Sequence, residues 1–248
     1  MPSPFKVILF DLGNTLIHSI EPWNEILYKA LQVFYRTAAS MEPSIENKIT
    51  VNDIQDCMNH YYDQRVLDLI ETNSFNILKS YLKAKEINTL SDNDLRMALN
   101  AMYSITQLNW RLEIDAIPTL SALRGQGYSL GLLSNAADDI DVQQLVDHWE
   151  LRQYFKFILT SAACGYRKPH SLMFHEAISY FNVEPGNVMM VGDTLKADIL
   201  GANRMDIFSV WINRRSLHQR NDLEIIPKAT IQSLGELIPL INNLNQQF

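Results

Sequence analysis

The sequence has few cysteines, no long apolar run and no excess of positive charge. Its two cysteines, Cys57 and Cys164, can form at most one disulfide and are too few for a four-cysteine metal site. The first apolar run, Val7–Phe10, has four residues, and no run approaches the roughly 18 residues that a membrane span needs. A disulfide framework and a membrane-spanning segment are therefore excluded. No basic segment precedes an apolar one near the start, so we expect no secretory signal and a cytoplasmic location.

The charge balance is acidic rather than basic, with 21 basic and 28 acidic side chains and a formal net charge of −7 at pH 7. That balance argues against sequence-independent binding to a phosphate backbone, so neither nucleic acid nor membrane is an expected partner. Hydrophobic residues make up 47% of the chain and charged residues 20%, which excludes intrinsic disorder. A chain of 248 residues fits one large α/β domain, or a core domain with one insertion.

Short apolar segments recur along the chain, and most are apolar at consecutive rather than alternating positions. This pattern is typical of strands that are buried on both faces of a parallel sheet. The predicted strands are 6–12, 129–133, 155–160, 188–191, 208–212 and 229–231. Later intervals hold one helix each, at 138–150, 171–181 and 195–205, and a further core helix is predicted at 117–124. Strands that alternate with single helices predict an α/β fold with a doubly wound, Rossmann-like parallel sheet.

The interval between the first two strands breaks this rhythm, because residues 15–128 contain no strand signal. Glycine is absent between Asn14 and Arg124, which suits a helical segment. Helical spacing of apolar residues predicts helices at 23–37, 54–73, 75–86 and 92–108, and Ser91 with Asp94 forms a capping box for the last of these. We therefore expect a core domain at 1–17 and 109–248 and an inserted helical cap domain at 18–108.

Polar side chains stand at the carboxyl ends of four predicted strands, which is where doubly wound sheets bind ligands. They are Asp11, Gly13, Asn14 and Thr15 after the first strand, Ser134 and Asn135 after the second, Lys168 in the loop past the third, and Asp193 and Asp198 after the fourth. Each residue alone is also typical of a turn or a helix cap. Their coincidence at one edge of the sheet predicts a catalytic site, and closely spaced carboxylates need a cation between them.

These motifs, taken in order, resemble the haloacid dehalogenase superfamily of hydrolases, which use an aspartate nucleophile. The resemblance covers about 1–17 and 109–235, and the helical insertion is similar to the family's first type of cap. It implies a Mg²⁺-dependent phosphohydrolase that acts on a small phosphorylated metabolite, with Asp11 forming an aspartyl-phosphate. The implied catalytic residues are Asp11, Ser134 and Lys168. The implied phosphate ligands are Asn14, Thr15, Ser134, Asn135 and Lys168, and the implied Mg²⁺ ligands are Asp11, the Gly13 carbonyl, Asp193 and Asp198.

Gly13 departs from the phosphatase pattern, in which a second Asp two residues after the nucleophile serves as general acid and base. Three interpretations remain open. A phosphatase could take its acid from His18, Glu21 or His60, from water, or act on an acyl or anomeric phosphate whose leaving group needs little help. A 2-haloacid dehalogenase, using Asp11 without metal, would need no acid, although Asp193 and Asp198 favour the phosphatase. A catalytically weak member would bind a phosphorylated ligand or a protein partner.

Overall fold

The computed structural model describes residues 5–215 and 224–246. Its strands are β1 (Val7–Phe10), β2 (Ile17–Ser19), β3 (Trp110–Leu112), β4 (Ser129–Ser134), β5 (Phe157–Thr160), β6 (Val188–Gly192), β7 (Phe208–Ile212) and β8 (Ala229–Ile231). Six of them form one parallel sheet in the order β5-β4-β1-β6-β7-β8. The chain winds outward from β1 to β5, then returns to place β6 on the other side of β1. This order confirms the predicted doubly wound parallel sheet.

The sheet carries helices on both faces, and its central strand shows why. All four residues of β1 are buried. Ile8 and Phe10 pack in one hydrophobic cluster and Val7 and Leu9 in another, because successive side chains of a strand point to opposite faces. The helices of this part are α5 (Ala116–Gly125), α6 (Asp139–His148), α7 (Ser161–Cys164), α8 (Ser171–Phe181), α9 (Leu200–Arg204) and α10 (Leu237–Asn245), with a π-helical turn at Leu195–Ile199.

The insertion between β2 and β3 consists of four longer helices around a hydrophobic cluster of their own. These are α1 (Trp23–Met41), α2 (Val51–Asp68), α3 (Ser74–Ala84) and α4 (Asp92–Gln107). The predicted Ser91–Asp94 capping box is present at the start of α4. Helix α2 is shorter than predicted, because Leu69 takes the left-handed conformation and the chain continues to Asn73 as a loop. No helix in the described ranges is both long and apolar enough to cross a bilayer.

The expectation that residues 15–128 contain no strand is wrong. β2 and β3 form a two-stranded antiparallel pair in which Ile17 lies opposite Leu112 and Ser19 opposite Trp110. Each strand has three residues, which is too short for an alternating pattern to be recognised. The pair forms the base of the insertion and brings its two chain connections side by side above the end of β1.

Candidate active site

Three carboxylates meet at the carboxyl edge of the sheet. Asp11 follows β1 and Asp193 follows β6, and the two strands are neighbours with Phe10 opposite Val191. Asp198 approaches from the π-helical turn after β6. Each of the three offers an oxygen, and these oxygens all lie within 4.8 Å of one another. The sequence separates these residues widely, so the parallel register of β1 and β6 is what brings the nucleophile candidate to the acidic pair.

Lys168 is the cation of this cluster and is 2% exposed. Its Nζ donates to Asp11 Oδ1 at 2.7 Å and to the Leu133 carbonyl at 2.6 Å, and it lies 2.7 Å from Asp198 Oδ1. Burial lowers the pKa of Lys168, but Asp11 and Asp198 outweigh it and hold that pKa above its ordinary value. The ammonium group therefore stays charged and fixes one oxygen of Asp11.

The cluster has more negative than positive charge, and its pKa values show the consequence. Burial raises the pKa of Asp11 to about 6, with Lys168 opposing and Asp198 adding to the shift. Burial, Asp11 and Asp198 together raise the pKa of Asp193 to about 8. Three carboxylates around one ammonium group leave a deficit of positive charge that a divalent cation would correct. An all-oxygen donor set of this kind suits Mg²⁺.

Gly192 is required for the placement of Asp198. A Cβ atom at Gly192 would lie 2.3 Å from Asp198 Oδ2, far inside any contact distance. Without that side chain, Asp198 Oδ2 accepts a hydrogen bond from the Thr194 backbone at 3.0 Å while Oδ1 faces Lys168. Asp198 is thus held from two sides and in turn holds Lys168 against Asp11.

The predicted phosphate ligands lie at the same edge. Ser134 ends β4 and is 6% exposed. Asn14 adopts a left-handed φ of 56°, which asparagine tolerates better than most residues. Thr15 is fully buried, and its hydroxyl has no hydrogen-bond partner in the described part of the chain. Because β4 pairs with β1 and Phe10 lies opposite Leu132, Ser134 and this loop are at the same edge of the sheet as Asp11, and their contact with phosphate stays a prediction.

Asn135 makes contacts that sequence reasoning did not foresee. Its side-chain oxygen accepts a hydrogen bond from the Lys168 backbone at 2.8 Å, and its side-chain nitrogen donates to the Lys168 carbonyl at 2.9 Å. Both ends of the amide are thus used to position the lysine. Any contact of Asn135 with phosphate stays a prediction, whereas its role in placing Lys168 follows from these bonds.

A sequence model of haloacid dehalogenase-like hydrolases matches residues 5–206. The chain belongs to this family. It is 26% identical over 251 residues to a glyceraldehyde 3-phosphate phosphatase from Methanopyrus kandleri, and the match covers 96% of this chain and 98% of that protein. The fold also resembles a haloacid dehalogenase-like (HAD) phosphatase from Thermococcus onnurineus, with 23% identity, a TM-score of 0.63 and coverage of 96% and 98%. A 2-haloacid dehalogenase from Pseudomonas syringae has 21% identity and a TM-score of 0.71 at the same coverage.

Gly13 of this haloacid dehalogenase-like hydrolase faces an aromatic ring that no sequence pattern predicts. A Cβ atom at Gly13 would lie 3.5 Å from Cη2 of Trp110, which is an ordinary contact. The Trp110 ring in turn lies 6.0 Å from that of Trp23, the first residue of α1. An indole from the base of the insertion therefore covers the position that lacks a side chain, and the resemblance could not indicate it because the contact depends on β2 and β3.

The three residues considered as substitute acids are placed differently. Trp110 pairs with Ser19 and faces Gly13, so the alternation of β2 directs His18 to the opposite face, where its Nδ1 lies 3.2 Å from Glu113. Glu21 forms an exposed ion pair with Lys29 at 2.6 Å, and His60 is exposed on α2. These contacts give none of the three a direct link to Asp11.

Proposed function

We propose that this hydrolase is a Mg²⁺-dependent phosphohydrolase that acts on a small phosphorylated metabolite through an aspartyl-phosphate. The observation that carries the proposal is the contact of Asp11 with Lys168 beside Asp193 and Asp198. A carboxylate nucleophile that attacks an anionic phosphate needs positive charge near both groups. This cluster supplies one cation, Lys168, and the ligands for another. The names of the curated relatives, which include glyceraldehyde 3-phosphate phosphatase and phosphoserine phosphatase, support the same reaction class.

The proposed reaction has two displacements at phosphorus. An oxygen of Asp11 bonds to phosphorus, the bond from phosphorus to the ester oxygen breaks, and that oxygen takes a proton from water and leaves as the alcohol. The oxygen of a second water molecule then bonds to phosphorus as the bond from phosphorus to Asp11 breaks, which releases inorganic phosphate and the Asp11 carboxylate. The proton that this second water loses replaces the one that the alcohol took up. Lys168 keeps Asp11 oriented and neutralises charge as the phosphoryl group forms its bond. Ser134 and the loop at Asn14 and Thr15 hold the phosphoryl oxygens in this proposal.

The residues that would hold Mg²⁺ are Asp11, the Gly13 carbonyl and Asp193, with Asp198 in support. Both oxygens of Asp198 already have partners, which suits a supporting role better than a direct one. The bound ion would neutralise charge on the phosphate and let an anionic nucleophile approach it. We also propose that residues 18–108 act as a cap that keeps bulk water from the reacting atoms, over a core at 1–17 and 109–248.

A second candidate is favoured by one observation, the absence of a side chain at Gly13. A halide leaves as a stable anion and needs no proton, so a 2-haloacid dehalogenase loses nothing at this position. A metal-free reaction of that kind gains nothing, however, from the buried carboxylates of Asp193 and Asp198. The acidic pair therefore favours the phosphohydrolase.

The decisive experiment is hydrolysis of phenyl phosphate with and without Mg²⁺, beside the Asp11→Asn variant. Asparagine keeps the shape of the side chain and can still accept a hydrogen bond from Lys168, so the fold should persist. We expect Mg²⁺-dependent release of phosphate that falls by at least about three orders of magnitude in the variant. Wild-type turnover in Asp11→Asn, with deamidation excluded by mass spectrometry, would contradict the mechanism. Halide release from 2-haloacids in EDTA, without phosphate release, would establish the second candidate.

A further inference from the structure

The loop between α2 and α3 docks directly on the part of the sheet edge that carries Lys168. The Glu71 backbone donates to the Gly165 carbonyl at 2.9 Å, and the Arg167 backbone donates to the Leu69 carbonyl at 3.0 Å. The Ser74 backbone donates to the Ala137 carbonyl at 2.7 Å. Arg167 is the residue before Lys168, and Ala137 lies two residues after Asn135. This seam between the insertion and the sheet therefore adjoins the proposed catalytic centre.

The seam contains two guanidinium groups and one carboxylate that they share. The Glu71 side chain is fully buried and lies 2.7 Å from Arg65 Nη1 and 3.7 Å from Arg167 Nη1. The side chains of Arg65 and Arg167 are 18% and 15% exposed, so water reaches them poorly. Burial and the charge of Arg65 both lower the pKa of Arg167, which shows how close the two cations lie. One carboxylate leaves this pair with an excess of positive charge.

The remaining acidic side chains near the seam do not remove that excess. Asp138 is already paired with Arg96 at 2.8 Å. Asp141 accepts a hydrogen bond from Gln107 at 2.9 Å, and burial raises the pKa of its carboxyl to about 7. Neither carboxyl has an ion pair with Arg65 or Arg167 among the described contacts, so Glu71 is the carboxylate that the two guanidinium groups share there.

Several hydrogen-bond donors in the seam also lack a partner. Arg65 Nε and Arg167 Nη1 are buried and donate to no acceptor among the residues described. The hydroxyls of Ser74 and Tyr103 are buried and face each other, with no further partner in the described ranges. The Tyr62 ring lies against Arg65, whose guanidinium carbon is 4.3 Å from the ring centroid, and Ser74 stands three residues after Glu71 at the start of α3. Buried donors without acceptors are uncommon in native proteins and mark places where a ligand or water completes the bonds.

We propose that this seam binds a carboxylate on the alcohol part of the substrate, through Arg167, Arg65 and the Ser74 and Tyr103 hydroxyls. The proposal rests on the proposed phosphohydrolase function. A carboxylate is the matching group because guanidinium forks bind it in the plane, as Arg65 already binds Glu71. Arg167 directly precedes Lys168 in the chain, so the proposed carboxylate site adjoins the edge of the sheet where the phosphate is proposed to bind. The proposed substrate class is therefore a phosphorylated hydroxy acid.

The test uses two substrates that differ only in the group proposed to bind. 3-Phosphoglycerate and sn-glycerol 3-phosphate share a three-carbon skeleton, and the carboxylate of the first is a hydroxymethyl group in the second. We expect the wild type to prefer 3-phosphoglycerate in kcat/KM, and Arg167→Met to lower that preference about 10- to 100-fold, mainly through KM. Arg167→Lys should restore part of the preference, because it keeps the charge without the fork. No preference in the wild type, or a preference that Arg167→Met leaves unchanged, would overturn the proposal.

Arg124→Met is the matched control. Arg124 also lies over a tyrosine ring, with its guanidinium carbon 5.7 Å from the centroid of Tyr154, and it donates to a backbone carbonyl on the surface of the core. Its replacement should leave the ratio of the two kcat/KM values unchanged. A fall in the ratio equal to that of Arg167→Met would show a general effect of losing a surface arginine, and would count against the proposed site.

Tyr103→Phe tests the proposed site in a variant that should still fold, because it removes only a hydroxyl. A buried hydroxyl without a full set of hydrogen bonds adds little stability, so the melting temperature should stay equal or rise. The preference for 3-phosphoglycerate should fall about 3- to 10-fold all the same. If the role of Tyr103 is purely structural, Tyr103→Phe should change the melting temperature and leave the preference for 3-phosphoglycerate unchanged.

Binding to the Asp11→Asn protein separates this proposal from the proposed function. Calorimetric titration with 3-phosphoglycerate and with sn-glycerol 3-phosphate needs no turnover, and a tighter Kd for the first supports the carboxylate site whatever the reaction. Equal Kd values would overturn the site even if the wild type hydrolyses phenyl phosphate. Tighter binding of 3-phosphoglycerate without any phosphate release from the wild type would sink the phosphohydrolase alone.

Discussion

Two charge clusters lie close to the base of the insertion, and they differ in their balance of charge. The catalytic cluster combines the carboxylates of Asp11, Asp193 and Asp198 with the one ammonium group of Lys168. The linker cluster, defined by Glu113, Asp115, Arg214 and Arg215, combines two carboxylates with two guanidinium groups. The first is short of positive charge, and the second is neutral when all its members are ionised.

The linker cluster pairs its charges from within, although Arg214 Nε has no hydrogen-bond partner among the described residues. Asp115 Oδ1 accepts a hydrogen bond from each terminal nitrogen of Arg214 at 3.0 Å. Asp115 Oδ2 accepts one from the Leu234 backbone at 2.8 Å. Glu113 accepts from Arg215 at 2.8 Å and lies 3.4 Å from Arg214. These bonds fasten β3 and the following turn to the end of β7. A cluster whose charges balance in this way stabilises an arrangement without a further ion.

The contrast indicates which charges serve the fold and which serve a ligand. The ammonium group of the catalytic cluster compensates one of its three carboxylates, and the excess of negative charge helps to raise the pKa values of Asp11 and Asp193. Proteins retain such uncompensated charge where a ligand completes it, and trade stability for function in doing so. The seam around Glu71 is unbalanced in the opposite sense, which is why it suits an anion.

The largest effect that would sharpen this comparison is expected from Asp193→Asn. It removes a carboxylate from the cluster that has too many, so the metal-free variant should melt at or above the wild-type temperature. Its Mg²⁺-dependent activity should fall at least about 10²-fold, because metal stabilisation of transition-state charge is worth several kcal/mol. Mg²⁺ should raise the melting temperature of the wild type but not of the variant. An equal Mg²⁺-induced rise in both proteins would remove Asp193 from the metal site.

Gly192→Ala should damage both stability and activity, though less severely. The new Cβ atom would displace Asp198, which positions Lys168, and overpacking of this kind costs about 1–3 kcal/mol. We expect phenyl phosphate turnover to fall about 10- to 100-fold, in line with the loss of a supporting contact. Gly125→Ala is the control, because no atom lies within 4 Å of its added Cβ and it ends helix α5. A Gly192→Ala protein with wild-type turnover would show that turnover does not depend on the position of Asp198.

Asp115→Asn tests the linker cluster, in which the charges balance. The variant leaves Arg214 with a weaker acceptor and should lower the free energy of unfolding by about 1–3 kcal/mol. Its turnover of phenyl phosphate should change by no more than a few-fold, the reverse of the Asp193→Asn result. Denaturant titration and initial rates on the same preparations would check both halves. A stable but inactive Asp115→Asn protein would place this cluster in the reaction.

The core and its catalytic edge could be predicted because both depend on order along the chain. Strands buried on both faces are visible as apolar runs, and parallel strands bring their carboxyl ends to one edge, so Asp11, Ser134, Lys168 and Asp193 were expected together. Asp198 was expected near Asp193 from spacing alone. The roles of these residues in catalysis remain proposals, although the contacts of Asp11, Lys168 and Asp198 match what those roles require.

Other features depend on how the insertion docks, and the sequence does not encode that docking locally. Trp110 covers Gly13 only because β2 and β3 pair, and each of those strands is too short to leave a pattern. Helix α2 was predicted to run on to Asn73, yet the chain leaves the helix after Asp68, and Glu71 then reaches Ser161 of the core at 2.8 Å. Long-range polar contacts of this kind override a continuous helical signal.

The two clusters should also differ in how the pH affects the stability that they confer. An Asp whose pKa rises on folding binds more protons in the native state, so stability falls as the pH rises between the unfolded and folded pKa values. For Asp11 and Asp193 that window runs from the ordinary value of 3.8 to about 6 and about 8. The metal-free protein should therefore melt at a lower temperature at pH 8 than at pH 5.5, and Mg²⁺ should reverse the loss at pH 8. Asp141, whose pKa is raised to about 7, adds to the slope, so Asp193→Asn should flatten it in part, whereas Asp115→Asn should leave it intact. A metal-free wild type whose melting temperature rises from pH 5.5 to 8 would show that the catalytic cluster is compensated after all.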